Sequence, residues 1–357
     1  MCIQMKPSLI VLLCFFLTLA DPAFGQDAQY GGQGSFGFVL PHRAEMNAIV
    51  TGHSWNAGIH RGNWSDNGWR RPWSRFGPVW EGLEIGWLNG GSPNIGQVGS
   101  ALWMIQIPFA TNSRVQLGTG AGWAFSPYSL EDRPLSFALG SHLNAGLHLS
   151  VHRKLFTFHE QELSLSAGIT HFSNGAIALP NLGINNLFVR CSVFPSAESS
   201  ETQRKEPESS IQFEEVHWKA AFSIRSGVRD VNLPGGPLHP MSTLIFHWER
   251  AKQNHWGMIL ASDITYNQSL RENAVQALTV PDRLQLSSGI GAILHFGNVG
   301  LNMVEGWVWT NPDIALGRRH LTATLAYSVN PDIKIEMGLR SFRLRADYAF
   351  VGLSVGL

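Results

Sequence analysis

A two-residue rhythm runs through most of this chain and limits what it can fold into. Leu139, Ser141, Leu143, Ala145, Leu147, Leu149 and Val151 alternate with Gly140, His142, Asn144, Gly146, His148, Ser150 and His152. Successive side chains of a strand point to opposite faces, so one face here is largely apolar and the other polar or bare. The same split separates Val115, Leu117, Ala121 and Trp123 from Gln116, Gly118, Gly120 and Gly122. It returns at Trp256, Met258, Leu260 and Ile264, at Leu286, Ile290, Ala292, Leu294 and Phe296, and at Ala349, Val351, Leu353, Val355 and Leu357. A soluble sandwich alternates too. Its glycines gather in turns, however, whereas here they line one face of many strands, as in a barrel with a crowded or water-filled lumen and an apolar exterior. After the leader no apolar stretch is long enough for a spanning helix, so insertion into a bilayer must use strands.

The rhythm predicts strands near 79–88, 98–108, 113–124, 138–153, 157–173, 184–194, 215–226, 242–251, 255–266, 284–295, 299–309, 319–329, 333–342 and 346–357. The fold class expected is all-β, one transmembrane antiparallel barrel of about 14 strands, within a range of about 12 to 16. Tight turns such as Ala110 to Asn112, Arg153 to Phe156, Lys252 to Asn254, Gly297-Asn298 and Asn330 to Asp332 alternate with longer segments at 125–137, 227–241, 267–283 and 310–318. Short periplasmic turns alternating with long outer loops are the expected asymmetry of such barrels. The polar run Ser196 to Ser210, within a connection expected over 196–214, breaks this order because it falls on the short-turn side. The division is therefore a leader at 1–25, an N-terminal arm, hairpin or plug at 26–78, and the barrel at 79–357.

The leader reads as a cleavable signal peptide. Lys6 precedes an apolar run from Leu9 to Ala20, and Ala23-Phe24-Gly25 offers small residues for cleavage before Gln26. Leu13 ahead of Cys14 is too large for lipoprotein processing. The mature chain keeps one cysteine, Cys191, which leaves no internal disulfide and no cysteine metal site. Net charge is zero with no basic run, so nucleic acid is not an expected partner. Charged residues make up only 15% of the chain, less than a secreted soluble enzyme of this length usually carries. His142, His148 and His152 share the expected lumen face, but they spread over too much strand for one ion and read as solvated lumen residues; neither metal nor cofactor is expected.

One strand departs from the rule. From Leu163 the odd positions run Leu163, Leu165, Ala167, Ile169, His171 and Ser173. A histidine and a serine thus continue a lipid-facing stripe at the end that enters an outer loop. Residues i and i+2 lie about 7 Å apart along a strand, within reach of a rotated hydroxyl. From spacing alone an interfacial His and Ser in an aromatic girdle is the plainer reading.

The longer context is more specific. His171-Phe172-Ser173-Asn174-Gly175-Ala176, followed by Leu179-Pro180-Asn181-Leu182-Gly183-Ile184-Asn185-Asn186, resembles the signature of the lipid A 3-O-deacylases, the PagL-like outer-membrane lipases. Ala138 to Asn144 also looks like the strand preceding that signature in larger members. The resemblance is specific from about 136 to 194 and does not cover the C-terminal half. It implies an outer-membrane ester hydrolase acting on lipid A of lipopolysaccharide, with Ser173 as nucleophile and His171 as general base. The oxyanion would be met by Asn174 and the backbone N–H groups of Gly175 and Ala176, with Asn181 a weaker candidate. Compact members place a glutamate directly after the Gly-Ile pair to orient the histidine; this chain has Asn185. Its amide oxygen is expected to accept the imidazole N–H, and Glu131 or Asp132 in the adjacent outer loop are alternative carboxylates. The competing readings are a porin or transport barrel that keeps the signature as scaffold, and a surface adhesin or structural barrel.

Overall fold

The structure, a computed structural model, describes residues 28–196, 218–231, 234–251, 256–271, 279–313, 316–343 and 345–357. The leader and most of the 196–214 connection lie outside the described residues. The first eight strands are β1 (Gln29–Val39), β2 (Ser54–Ser65), β3 (Val79–Asn89), β4 (Gln97–Ala110), β5 (Ser113–Ala124), β6 (Leu143–Phe158), β7 (Gln161–Ser173) and β8 (Ile184–Pro195). The second eight are β9 (Trp218–Asp230), β10 (Leu238–Ala251), β11 (Trp256–Asn267), β12 (Leu284–Phe296), β13 (Val299–Val308), β14 (Arg319–Ser328), β15 (Ile333–Phe342) and β16 (Arg345–Gly356).

Each set closes on itself. β1 pairs with β8, with Phe36 opposite Val189, and β16 pairs with β9, with Val351 opposite Ser226. The single barrel of about 14 strands is thus corrected to two closed antiparallel barrels of eight. Alternation fixes which way side chains point, but not which strand a distant strand pairs with. The two strands beyond the fourteen, β1 and β2, fall within 26–78, where a hairpin is one of the three expected readings. β1 reads QYGGQGSFGFV, and its glycines leave too few apolar side chains for the rhythm to show.

Burial confirms the faces. In β6 every odd residue from Leu143 to Val151 is exposed and every even one from Asn144 to His152 is buried. Strand β6 begins at Leu143, not at 138, so His142 lies outside it. The ring of His142 stacks on Trp123 at 5.0 Å, exposed and away from the lumen. His148 and His152 do face the lumen, but they are buried rather than solvated. His148 Nδ1 lies 3.0 Å from Thr170 Oγ1, and His152 Nε2 lies 2.5 Å from Gln116 Oε1.

Both lumens are filled, as small barrels require. Arg190 meets Glu84 at 3.2 Å and Arg114 pairs with Glu162 in the first; Arg225 meets Glu336 at 2.7 Å in the second. Each charge has a partner, which offsets the several kcal/mol of desolvation that an unpaired ion would cost (about 3–5 kcal/mol when one partner is lost). The cavity beside Glu84 and Arg190 is about 10 Å³, and that beside Arg225 and Arg340 about 30 Å³. Such spaces hold a water or two.

The barrels stand side by side. At the short-turn end, Val79, Ile105 and Ile107 of β3 and β4 bury against Phe296, and Trp73 stacks on the same ring at 5.4 Å. At the long-loop end the segment after β7 meets β15 and β16. Strands of such barrels tilt by about 35–45°, so a line parallel to the axis crosses several strands. The seam moves from β4 to β7 on one barrel and from β12–β13 to β15–β16 on the other.

Candidate functional site

His171 and Ser173 end β7 on its outward face. Ser173 pairs across with Ala145 and His171 with Leu147, both outward residues of β6. On the other side His171 pairs directly with Asn185 of β8. This register brings His171 Nδ1 to 2.6 Å from Asn185 Oδ1. An amide oxygen only accepts, so Nδ1 carries the proton and Nε2 holds the lone pair. Gly183, at φ +79°, turns the chain into β8 beneath the ring; a Cβ there would lie 3.0 Å from His171 Cε1.

Ser173 is only 7% exposed. Its Oγ accepts from the Gly175 N–H at 3.3 Å and from Asn181 Nδ2 at 3.5 Å. It makes no hydrogen bond to His171 in this conformation. Asn174, ranked above Asn181 from the sequence, is occupied elsewhere: its Nδ2 donates to the Ala178 carbonyl at 2.8 Å, and its backbone N–H donates to Asn181 Oδ1 at 3.2 Å. Asn181 and the Gly175 N–H are therefore the donors already converging on the hydroxyl. Ala176 follows Gly175 with the same φ of +66°, an unfavourable left-handed conformation for alanine.

The second barrel holds this loop. The Asp230 backbone N–H donates to the Ala176 carbonyl at 2.8 Å, and Asp230 Oδ2 accepts from the Leu179 N–H at 2.9 Å. Gly175 packs so closely on β16 that a Cβ would sit 2.7 Å from that of Ala349. Sequence reasoning missed Asp230, because nothing around it shows which loop it will meet. It also missed His42, whose Nδ1 lies 3.0 Å from Asn185 Nδ2. Neither Glu131 nor Asp132 is joined to His171 by a hydrogen bond or ion pair; Asp132 is turned to Ser129. The site is thus a serine hydroxyl between two potential oxyanion donors and an imidazole whose free nitrogen follows from its partner, all on an outer wall. No group of three metal-ligating side chains occurs among the described residues.

The model of the family described as lipid A 3-O-deacylase (PagL) matches residues 49–194, which takes in β2 to β8 and the whole His171–Asn185 segment. No curated relative matches the chain. Matching solved structures include two mutants of the Rh. blastica porin. Each has 11% identity and covers 92% of this chain and 100% of that one, with TM-scores of 0.21 and 0.19. The family likeness resides in the first barrel and, with the barrel fold, fits an outer-membrane protein of lipid A deacylase type.

Proposed function

We propose that this chain is a serine esterase of the Gram-negative outer membrane that removes an ester-linked acyl chain from lipid A. Residues 1–25 would export it, and lipopolysaccharide in the outer leaflet would be its substrate. The observation that carries this reading is the His171–Asn185 hydrogen bond on the outward wall, because it leaves Nε2 free to take a proton. The Ser173 hydroxyl gives its proton to that nitrogen as Oγ attacks the acyl carbonyl. The oxyanion is met by the Gly175 N–H and Asn181 Nδ2, which the rotating hydroxyl releases. The ester C–O bond then breaks, and the proton held on His171 goes to the departing alcohol oxygen. Water, activated by the same nitrogen, hydrolyses the acyl-enzyme. The outward Ala145 and Leu147 beside the pair supply apolar wall for the fatty chain.

The test is mass spectrometry of lipid A from cells carrying the wild-type chain, Ser173→Ala, or neither. Wild type should lose the mass of one acyl group, and Ser173→Ala should not, although it inserts normally. Identical spectra in all three would remove the hydrolase reading. Which acyl position is cut is read from the same spectra.

A further inference from the structure

The hydrogen bonds around Asn185 continue beyond His171. Asn185 Nδ2 lies 3.0 Å from His42 Nδ1, and His42 Nε2 lies 2.8 Å from the Leu182 carbonyl oxygen. His42 comes from the loop after β1, which the Leu40 N–H ties to the same corner by donating to the Asn185 carbonyl at 2.7 Å. The protons of this chain of contacts follow from one end. A backbone carbonyl only accepts, so His42 Nε2 carries a proton. In the neutral ring Nδ1 then has a lone pair, and only the N–H edge of the amide can face it. That orientation turns Oδ1 toward His171, which must answer with Nδ1–H. The Leu40 carbonyl oxygen, 3.2 Å from His42 Nδ1, competes for a proton there. Moving the proton to Nδ1 would leave two acceptors facing each other at Leu182 across the shorter gap.

We infer that His42 is a positioning residue that lets an amide do the work of a carboxylate: it fixes the flip of Asn185, and through it the tautomer of His171. A carboxylate accepts at both oxygens and needs no such guide, whereas an amide accepts at one edge and donates at the other. The inference rests on reading His171 and Ser173 as the reacting pair.

The experiment uses the full chain refolded in detergent micelles with ¹⁵N-labelled histidine. Wild type should show the His171 signal of the Nδ1–H form, and His42→Ala a mixture with the Nε2–H form. Deacylation of lipid A in mixed micelles should then fall about tenfold in kcat at unchanged KM, as when partners that orient metal-bound histidines are removed. That is well short of the about 10⁴ that accompanies a wrong tautomer in a serine protease. His42→Gln, whose Oε1 can accept from the same amide, should recover most of the loss. In an Asn185→Asp background, His42→Ala should change kcat by less than about twofold, a non-additivity that marks direct coupling. An equal loss in both backgrounds, or an unchanged His171 tautomer in His42→Ala, overturns the inference. A chain without any deacylation would instead remove the hydrolase reading, and the nitrogen spectra would still decide the relay.

Discussion

At the scale of single residues, the site turns on one exchange of oxygen for nitrogen. Asn185 offers His171 an acceptor at 2.6 Å but no charge to balance the imidazolium that the proposed proton transfer would form. Asn185→Asp keeps the shape and adds that charge. It should raise kcat, by far less than the about 10⁴ lost in the reverse change in a serine protease, where the tautomer is also wrong. Initial rates on lipid A in micelles check this, and a fall would show that the amide itself is required. The facing of His171 and Asn185 was legible from the sequence because two-residue spacing puts His171 and Ser173 on one face of β7 and the apolar stripe of β8 puts Asn185 on the same side. The order of Asn174 and Asn181 was not, since it depends on which amide the loop consumes internally. His42 was hidden for a different reason: it reaches the site only because β1 closes on β8, a pairing over 140 residues that leaves no local trace.

Among elements, the decisive one is the loop between β7 and β8. Its path is set by Gly175 against Ala349 and by the two hydrogen bonds to Asp230. A hydrogen bond to a buried charged acceptor contributes about 1.5–3 kcal/mol. Asp230→Ala should therefore loosen the loop and lower kcat about tenfold or more while both barrels remain closed, which heat-modifiable gel mobility would show. Unchanged kinetics would mean that the loop holds its shape without the second barrel. Inside the first barrel, Glu84→Ala leaves Arg190 buried without its carboxylate and should cost about 3–5 kcal/mol. A lower denaturant midpoint in micelles measures it. The strands carrying these groups were readable from the alternation of Gly, polar and apolar residues. Their lumen partners were not, because a pair such as Glu84 and Arg190 is 106 positions apart.

For the whole molecule, the competing readings differ in what the lumens pass. Beside the lumen ion pairs the remaining spaces are about 10 and 30 Å³, room for a water or two. Planar-bilayer recording of the refolded chain should show no stable conductance, and a reproducible single-channel step would favour a transport barrel. The division into two barrels was foreshadowed by the polar run after Ser196, which broke the loop order because it joins barrels rather than neighbouring strands. Strand rhythm alone could not reveal this, since one barrel of sixteen and two of eight have the same period.

The number eight has a topological consequence. A chain that crosses a layer an even number of times leaves on the side where it entered. Strand β1 starts at the short-turn end, so β8 finishes there as well. Strand β9 starts from the matching end of the second barrel, where Ile107 packs with Phe296. Pro195 and Trp218 thus share one side, and adding the second cylinder drags no hydrophilic segment through lipid. Parity makes the pair separable in principle: a unit of this kind can be appended to another, or removed, without inverting what remains.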